Sequence, residues 1–470
     1  MAADPVVETV DLGPPGDDPQ VFRQGWQSWS PTGWASLLRD VDPSTVEGSP
    51  SLSRAMHHGD PASFHGGLRS EWVTVVRTAD GLTLIGADAT DRHDTTIAVR
   101  IDGGTVVADV IARTGGAPVE PHRIVLRHGD DAEHLLRSWA TAVGVAMDAR
   151  TSSPYRAGWC SWYHYFGDLG EDDIRRNLEL ATAWPFDLFQ VDDGWQPEIG
   201  DWSRTRYGSD LDVLAADIAA AGFQPGIWLA PFLAAPGTVP DEWLAVHESG
   251  RPLVGMVSPA WGGNVHVLDT TRDDVLDHLE AVAATLVAAG WTYLKIDFTY
   301  APAIPGRYAD PERTGAQRVR AGVEALRRGA GDDAYVLGCG MPLGHGVGLV
   351  DGMRIGPDVA PTWDVPAGAW HPPGYLGGQP AVANALACTV ARQFLHRRLW
   401  QNDPDCLLLR PTATGLTPDE RQRWADAVAA SGGLVLVSDD LSLCGPAERE
   451  QLHRVLETGR RADAASLGSP

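Results

Sequence analysis

The triplet Lys295-Ile296-Asp297 carries the densest chemistry in the chain. A strand turns residues i and i+2 to one face, so an extended triplet points an ammonium and a carboxylate the same way. A nearby cation favours the ionised carboxylate, which suits a nucleophile. Lys295 is also the one lysine in the sequence, where Lys and Arg together number 37. A compact ammonium and a planar guanidinium are not interchangeable in a small space. That exception favours a functional position over a structural ion pair. Arg354-Ile355-Gly356-Pro357-Asp358 repeats the pairing at a spacing of four. Pro357 bends or ends the strand and presents Asp358 on a loop. Asp358 is a candidate proton donor, with an Arg354–Asp358 salt bridge as the plain alternative.

Two carboxylates in unlike environments, one ionised and one protonated, are what glycoside hydrolysis requires. Further acids stand near them in the pattern: Asp192 and Asp193, then Asp403 and Asp405. Each alone reads equally well as a helix cap or an Arg partner; together they describe an acid-lined pocket. Other chemistries find less support. Of the 15 histidines none belongs to an H-E-x-x-H motif, and His57, His58 and His164 read as surface or packing residues. No G-x-S-x-G elbow is present. Gly344 to Gly348 is glycine-rich but lacks the Lys-Ser/Thr of a phosphate loop.

These residues need elements to hold them. From Arg156 onward strand and helix alternate, with strands ending near Trp162, Asp193, Ala230, Asp297, Cys339, Asp358, Asn402 and Ser438. Eight such units over about 300 residues fit a (β/α)8 TIM barrel, whose active residues sit at the C-terminal ends of its strands. A doubly wound open sheet is the alternative, but no G-x-G-x-x-G opens a helix. Between the strands, Val275, Leu279, Val282 and Leu286 follow helical spacing, with Thr271 and Asp274 as a capping box and Gly290 as the stop. Thr417-Pro418-Asp419-Glu420 is a second helix start.

The first 145 residues carry short strand-like runs at Trp72 to Arg77, Leu82 to Ile85, Thr96 to Ile101 and Thr105 to Ile111. Asp80-Gly81 and Gly103-Gly104 lie between them as hairpin turns. They predict an antiparallel β-sandwich, closed by a linking helix over Gly129 to Val143 with Asp130 or Asp131 as cap and Leu135, Leu136 and Trp139 as its apolar stripe. The expected organisation is therefore 1–145 for the sandwich and its helix, 154–459 for the barrel, and a disordered tail over 460–470. A further C-terminal β domain is expected to be reduced or absent.

Composition bounds the partners. The chain has 470 residues and 62 Asp+Glu against 37 Lys+Arg, a net charge of −25. That balance argues against nucleic acid and anionic membranes. Five widely spaced cysteines form no C-x-x-C pair, so neither a zinc site nor a disulfide framework is expected. Met1 to Val10 is acidic without an apolar core, so no signal peptide is expected, and no apolar run approaches a membrane span. The expected location is cytoplasmic. Trp supplies 18 residues against 9 Tyr and 9 Phe, and flat indole faces are one way to hold sugars.

Gly158-Trp159-Cys160-Ser161-Trp162-Tyr163-His164-Tyr165-Phe166, Asp192-Asp193-Gly194-Trp195, Lys295-Ile296-Asp297-Phe298, Arg354 to Asp358 and Asn402-Asp403-Pro404-Asp405-Cys406 stand in an order that resembles glycoside hydrolase family 36, the α-galactosidases of the melibiase clan. Gly25 to Ser30 also resembles a segment of that family's N-terminal β-supersandwich. The resemblance implies a retaining exo-glycosidase that cleaves terminal α-D-galactosides through a covalent glycosyl-enzyme. Asp297 is then the nucleophile and Asp358 the general acid/base. Asp192 and Asp193 hold the 4- and 6-hydroxyls. Lys295 binds sugar hydroxyls, Arg354 and Cys339 approach the 2-position, Trp228 walls the pocket and Trp29 closes it from the N-terminal domain.

No cofactor or metal is implied. The implied partner is an α-galactoside oligosaccharide or glycoconjugate. A homo-oligomer follows from the family, although the reduced C-terminal domain weakens that carry-over. Two departures, Ile355-Gly356-Pro357-Asp358-Val359 and Gly340-Met341-Pro342, keep α-N-acetylgalactosaminidase in view. A raffinose-synthase-like galactosyltransferase is a second alternative, and a catalytically silent sugar-binding protein a third. Replacing Lys295 by Arg is expected to impair turnover severely, because the longer planar fork does not fit; steady-state kinetics near wild type would show the lone lysine to be incidental.

Overall fold

In the computed structural model residues 4–40, 67–367 and 376–467 are described. His57 and His58 lie outside them. Nine short strands come first: β1 (Val6–Asp11), β2 (Gln20–Arg23), β3 (Gly33–Ser36), β4 (Leu68–Glu71), β5 (Val73–Thr78), β6 (Gly81–Ala87), β7 (Asp94–Asp102), β8 (Thr105–Arg113) and β9 (Ile124–Gly129). They make two antiparallel sheets, ordered β1-β8-β7-β4 and β3-β2-β5-β6-β9. Alternating apolar residues give each sheet one buried face. Ile97, Val99, Val106 and Val110 from one sheet meet Val21, Val76 and Ile85 from the other. The β7–β8 hairpin turns at Gly103-Gly104, both at positive φ (57° and 89°), between the paired Asp102 and Thr105. That is the two-residue turn with left-handed φ at both positions which the glycines predict.

The helix Ala132–Ala146 is capped by Asp131, whose carboxylate accepts from the amides of Glu133 and His134. It buries Leu135, Leu136 and Trp139, and the Trp139 indole donates to the Ala87 carbonyl at 2.8 Å. This pins the helix against β6.

After it run β10 (Ala157–Cys160), β11 (Leu188–Val191) and β12 (Gln224–Leu229). An excursion follows: β13 (Leu233–Ala234), β14 (Val254–Ser258) and β15 (Gly263–Val267). The chain then continues with β16 (Tyr293–Ile296), β17 (Tyr335–Gly338), β18 (Gly352–Arg354), β19 (Gln401–Asp403) and β20 (Val435–Val437). Eight of these form one parallel sheet, ordered β19-β18-β17-β16-β12-β11-β10-β20. The ring closes where the Leu434 amide donates to the Asn402 carbonyl at 2.9 Å and Leu407 bridges Val437. All eight strands expected from the sequence are present, and the sheet is a nearly closed barrel. Its strands are buried throughout, as parallel strands covered by helices must be. The excursion β13-β15-β14 is a small antiparallel sheet of its own, which the sequence did not announce.

Two local expectations need correction. The helix Asp273–Ala288 is not opened by a Thr271–Asp274 box. Arg272 stands at its N-cap and makes no side-chain cap bond. Asp274 instead receives the Arg272 guanidinium and the Trp243 indole, and the Thr271 hydroxyl donates to Asp269. Stronger donors have taken the carboxylate. Of the expected stripe, Val275, Leu279 and Leu286 are buried and Val282 is half-buried, with Ala283 completing the buried face, and Gly290 does end the helix region at φ 103°. The other start holds: Thr417 and Glu420 form a reciprocal capping box with Pro418 in the first turn.

The last helix, Pro446–Leu467, continues past residue 459 into the stretch expected to be disordered. The reason is long-range. Asp463 is buried and pairs with Arg397 at 2.6 Å and with His396 at 2.9 Å, so tertiary contacts hold the final turns.

Arg392 joins the two layers of the molecule. It is fully buried, and its guanidinium donates to the carbonyls of Gln27, Ser28 and Ser30 and to that of Ile355 just beyond β18. One side chain thus fastens the Gly25 to Ser30 turn of the sandwich to the barrel mouth. Ser28 and Met341 add a backbone bond across the same seam at 3.0 Å.

Candidate active site

Every candidate residue named from the sequence lies at the C-terminal end of the barrel or against it. Asp192 and Asp193 follow β11, Asp297 follows β16, Cys339 follows β17, and Arg354 ends β18 with Asp358 four residues on. Trp228 belongs to β12, and Trp29 arrives from the sandwich turn.

The Lys295 ammonium makes its ion pair with Asp192, at 2.9 Å, rather than with Asp297. Asp192 also accepts from Gln190, and its amide donates to the Ser161 hydroxyl at 2.9 Å. Burial works against the charged ammonium. The negative charges of Asp192 first and of Asp297 outweigh it and hold the pKa of Lys295 well above its usual value. Lys295 is therefore a cation at neutral pH, bonded to Asp192.

Asp193 faces different partners. Gln196 donates to one oxygen at 2.6 Å and the Trp261 indole to the other at 2.9 Å. Burial pushes its pKa upward, these two donors oppose that, and the charges of Asp192 and Asp297 add to the upward push.

Both oxygens of Asp297 are engaged. The Trp228 indole donates to Oδ2 at 3.0 Å and the Phe298 amide to Oδ1 at 2.7 Å. Phe298 itself takes a positive φ of 52°, an uncommon state for an aromatic residue. Burial is the largest influence on Asp297 and raises its pKa. Lys295 and the Trp228 donor pull it down, and the charge of Asp358 pushes it up again. Lys295 favours the ionised carboxylate, as its place in the sequence predicts, while burial is the larger influence and opposes it. Gly340 lies against this carboxylate; a Cβ there would stand 3.1 Å from Asp297 Oδ1 and 3.0 Å from the Trp29 ring. Trp29 in turn packs edge-on to Phe298, with ring centroids 5.2 Å apart.

Across the mouth, Arg354 donates to Asp358 at 3.0 Å. The side chain of Asp358 is 34% exposed, whereas Asp297 is buried. Arg354 also pairs with Asp405 at 2.7 Å and Asp403 at 3.3 Å, so the simple two-residue salt bridge is one edge of a larger cluster. Cys339 is buried among these groups. Desolvation first, then the Asp297 charge, lifts its thiol pKa well above the ordinary range, so it is a neutral thiol.

Sequence reading missed Trp261, which reaches Asp193 from the excursion sheet; the tryptophan count was its only trace. It also gave no partners for Gln190, Gln196 and Tyr163. Among the described residues no group of three or more His, Cys, Asp and Glu is arranged to hold a metal ion.

A barrel whose strand ends bring two carboxylates of unlike exposure together, beside acids bound by Lys, Gln and Trp, defines a glycoside hydrolase. No family model matches the chain. TtGalA, an α-galactosidase from Thermus thermophilus solved in complex with stachyose, is 30% identical, with a TM-score of 0.79 over 95% of this chain and 92% of its own. In complex with p-nitrophenyl α-D-galactopyranoside the same enzyme gives a TM-score of 0.80 at 29% identity. The curated α-galactosidase AgaA of Geobacillus stearothermophilus is 31% identical over 152 residues, which is 29% of this chain and only 20% of AgaA. The GH36 crystal structure of AgaA shares the fold, at a TM-score of 0.61 and 14% identity, and this chain covers 63% of it. The chain belongs to glycoside hydrolase family 36, the α-galactosidase family.

Trp228→Phe removes one donor from Asp297 and keeps an aromatic wall. A donor to the ionised form lowers a pKa, so its loss raises that of Asp297. The acid limb of the kcat/KM profile on a glycoside substrate is expected to move to higher pH by up to about one unit; an unmoved limb would contradict this.

Proposed function

We propose that the protein hydrolyses terminal α-D-galactosides with retention, through a covalent glycosyl-enzyme on Asp297. The observation that carries this reading is the contrast between its two carboxylates. Asp297 is buried with both oxygens held by N–H donors, while Asp358 is a third exposed and bound to Arg354. A nucleophile must be fixed in place and desolvated. An acid/base must exchange a proton with solvent in every cycle.

In the first step Asp297 attacks the anomeric carbon as Asp358 gives its proton to the departing oxygen. In the second, Asp358 takes a proton from water, which attacks the same carbon and releases Asp297. Asp192 with Lys295 and Asp193 with Trp261 and Gln196 are assigned to the sugar hydroxyls. Charged ligands of this kind select an axial 4-hydroxyl, because a sugar lacking it leaves them mispaired. Arg354 and Cys339 are assigned to the 2-position, and Trp29 and Trp228 to the pocket walls. The TtGalA complexes with stachyose and p-nitrophenyl α-D-galactopyranoside support an α-galactosyl oligosaccharide or aryl galactoside as substrate.

A cytoplasmic location accompanies this reading. All five cysteines are free, and no described helix is long and apolar enough to cross a membrane.

The nucleophile assignment is tested with Asp297→Gly. The variant is expected to lose turnover by at least about a thousandfold, since the covalent step goes with the carboxylate. Added azide is expected to restore part of it on an activated aryl galactoside. It attacks from the face opposite the aglycone and yields the β-galactosyl azide. Turnover near wild type without azide would refute the role of Asp297.

A further inference from the structure

Asp405 is a fully buried carboxylate for which the two hydrolytic steps have no use. It stands two residues beyond β19, at a positive φ of 93°, a backbone state uncommon outside glycine. Four donors converge on it. The amide of Val359, the residue after Asp358, reaches Oδ2 at 2.8 Å, and the Tyr163 hydroxyl reaches the same oxygen at 2.5 Å. The Cys406 amide and an Arg354 nitrogen each reach Oδ1 at 2.7 Å. The carboxylate therefore holds both the backbone that carries Asp358 and the cation that faces it.

A guanidinium held from several sides fixes the carboxyl it binds. Here Arg354 is divided among three carboxylates: Asp358 at 3.0 Å, Asp405 at 2.7 Å and Asp403 at 3.3 Å. The other titratable groups that act on or respond to Asp358 are Tyr163 from the turn after β10, Asp297 after β16 and Cys339 after β17. Burial is the largest influence on Asp405 and pushes its pKa up to about 7; Arg354 opposes the rise, and the charges of Asp358 and Asp403 add to it.

We propose that Asp405 is a positioning residue for Asp358: it ties down the backbone beside the acid/base and holds the Arg354 fork that binds it, so that the Asp358 carboxyl stays aimed at the departing oxygen. The inference rests on Asp358 being the acid/base.

The test uses Asp405→Asn, which keeps the shape of the side chain and weakens its hold on Arg354. On melibiose, whose sugar leaving group needs a proton from Asp358, kcat/KM is expected to fall by at least about tenfold. α-Galactosyl fluoride needs no such proton, so its loss is expected to be several times smaller. Asp403→Asn loosens Arg354 from another side and is expected to split the two substrates the same way; it carries the test if Asp405→Asn does not fold. Equal losses on the two substrates in a folded variant overturn the proposal. Asp358→Ala is the control. Equal losses on both substrates in that variant would remove the acid/base reading itself, and the role of Asp405 with it.

Discussion

Carboxylates crowded into a low-dielectric space repel one another, and the mouth of this barrel gathers Asp192, Asp193, Asp297, Asp358, Asp403 and Asp405 around two cations. Lys295 and Arg354 let them stay. Burying an ion costs several kcal/mol even after relaxation, and a buried pair is favourable only when the remaining hydrogen-bonding positions are filled. The structure meets that condition residue by residue, with Gln190 on Asp192, Trp261 and Gln196 on Asp193, and Trp228 and the Phe298 amide on Asp297. The acids still outnumber the cations. Burial accordingly drives Asp193 and Asp297 toward the protonated form. A polyhydroxylated sugar, which brings donors to such acceptors, fits this unsatisfied demand better than an anion would.

The same cluster is where the unusual backbone and the seams lie. Phe298 and Asp405 both adopt positive φ, and both lie within the cluster, one bonded to Asp297 through its amide and the other to the Val359 amide through its carboxylate. The sandwich is no passive attachment. Its Gly25 to Ser30 turn is bound by Arg392, and Trp29 from that turn packs on the residue next to Asp297. Arg392 also holds the Ile355 carbonyl, three residues before Asp358. Both carboxylates of the proposed mechanism are therefore braced from one buried guanidinium.

Much of this was legible in the sequence, for local reasons. Period-two spacing puts Lys295 and Asp297 on one face, and alternation of strand with helix gives the barrel. The Gly103-Gly104 and Thr417-Pro418 signals act over a few residues. What escaped was set by distant partners. Trp261 lies 68 residues from the Asp193 it binds, on a hairpin with no strong strand pattern. Asp274 has the right spacing for a cap but meets Arg272 and Trp243 first. The final turns of the last helix look polar and unsupported until Asp463 meets Arg397. Lys295 is the lone lysine, yet its ion pair is with Asp192, just past β11 and two strands away in the sheet.

The measurement that bears most directly on the central claim is anomer-resolved NMR of product released from p-nitrophenyl α-D-galactopyranoside, run beside the α-N-acetylgalactosaminide and the α-glucoside. The account predicts cleavage of the galactoside in preference to the other two, with α-galactose appearing first and β-galactose only by later mutarotation. Release of β-galactose as the first product would contradict the covalent intermediate on Asp297. Preferential cleavage of the glucoside would contradict the assignment of Asp192, Asp193 and Lys295 to the galactose hydroxyls.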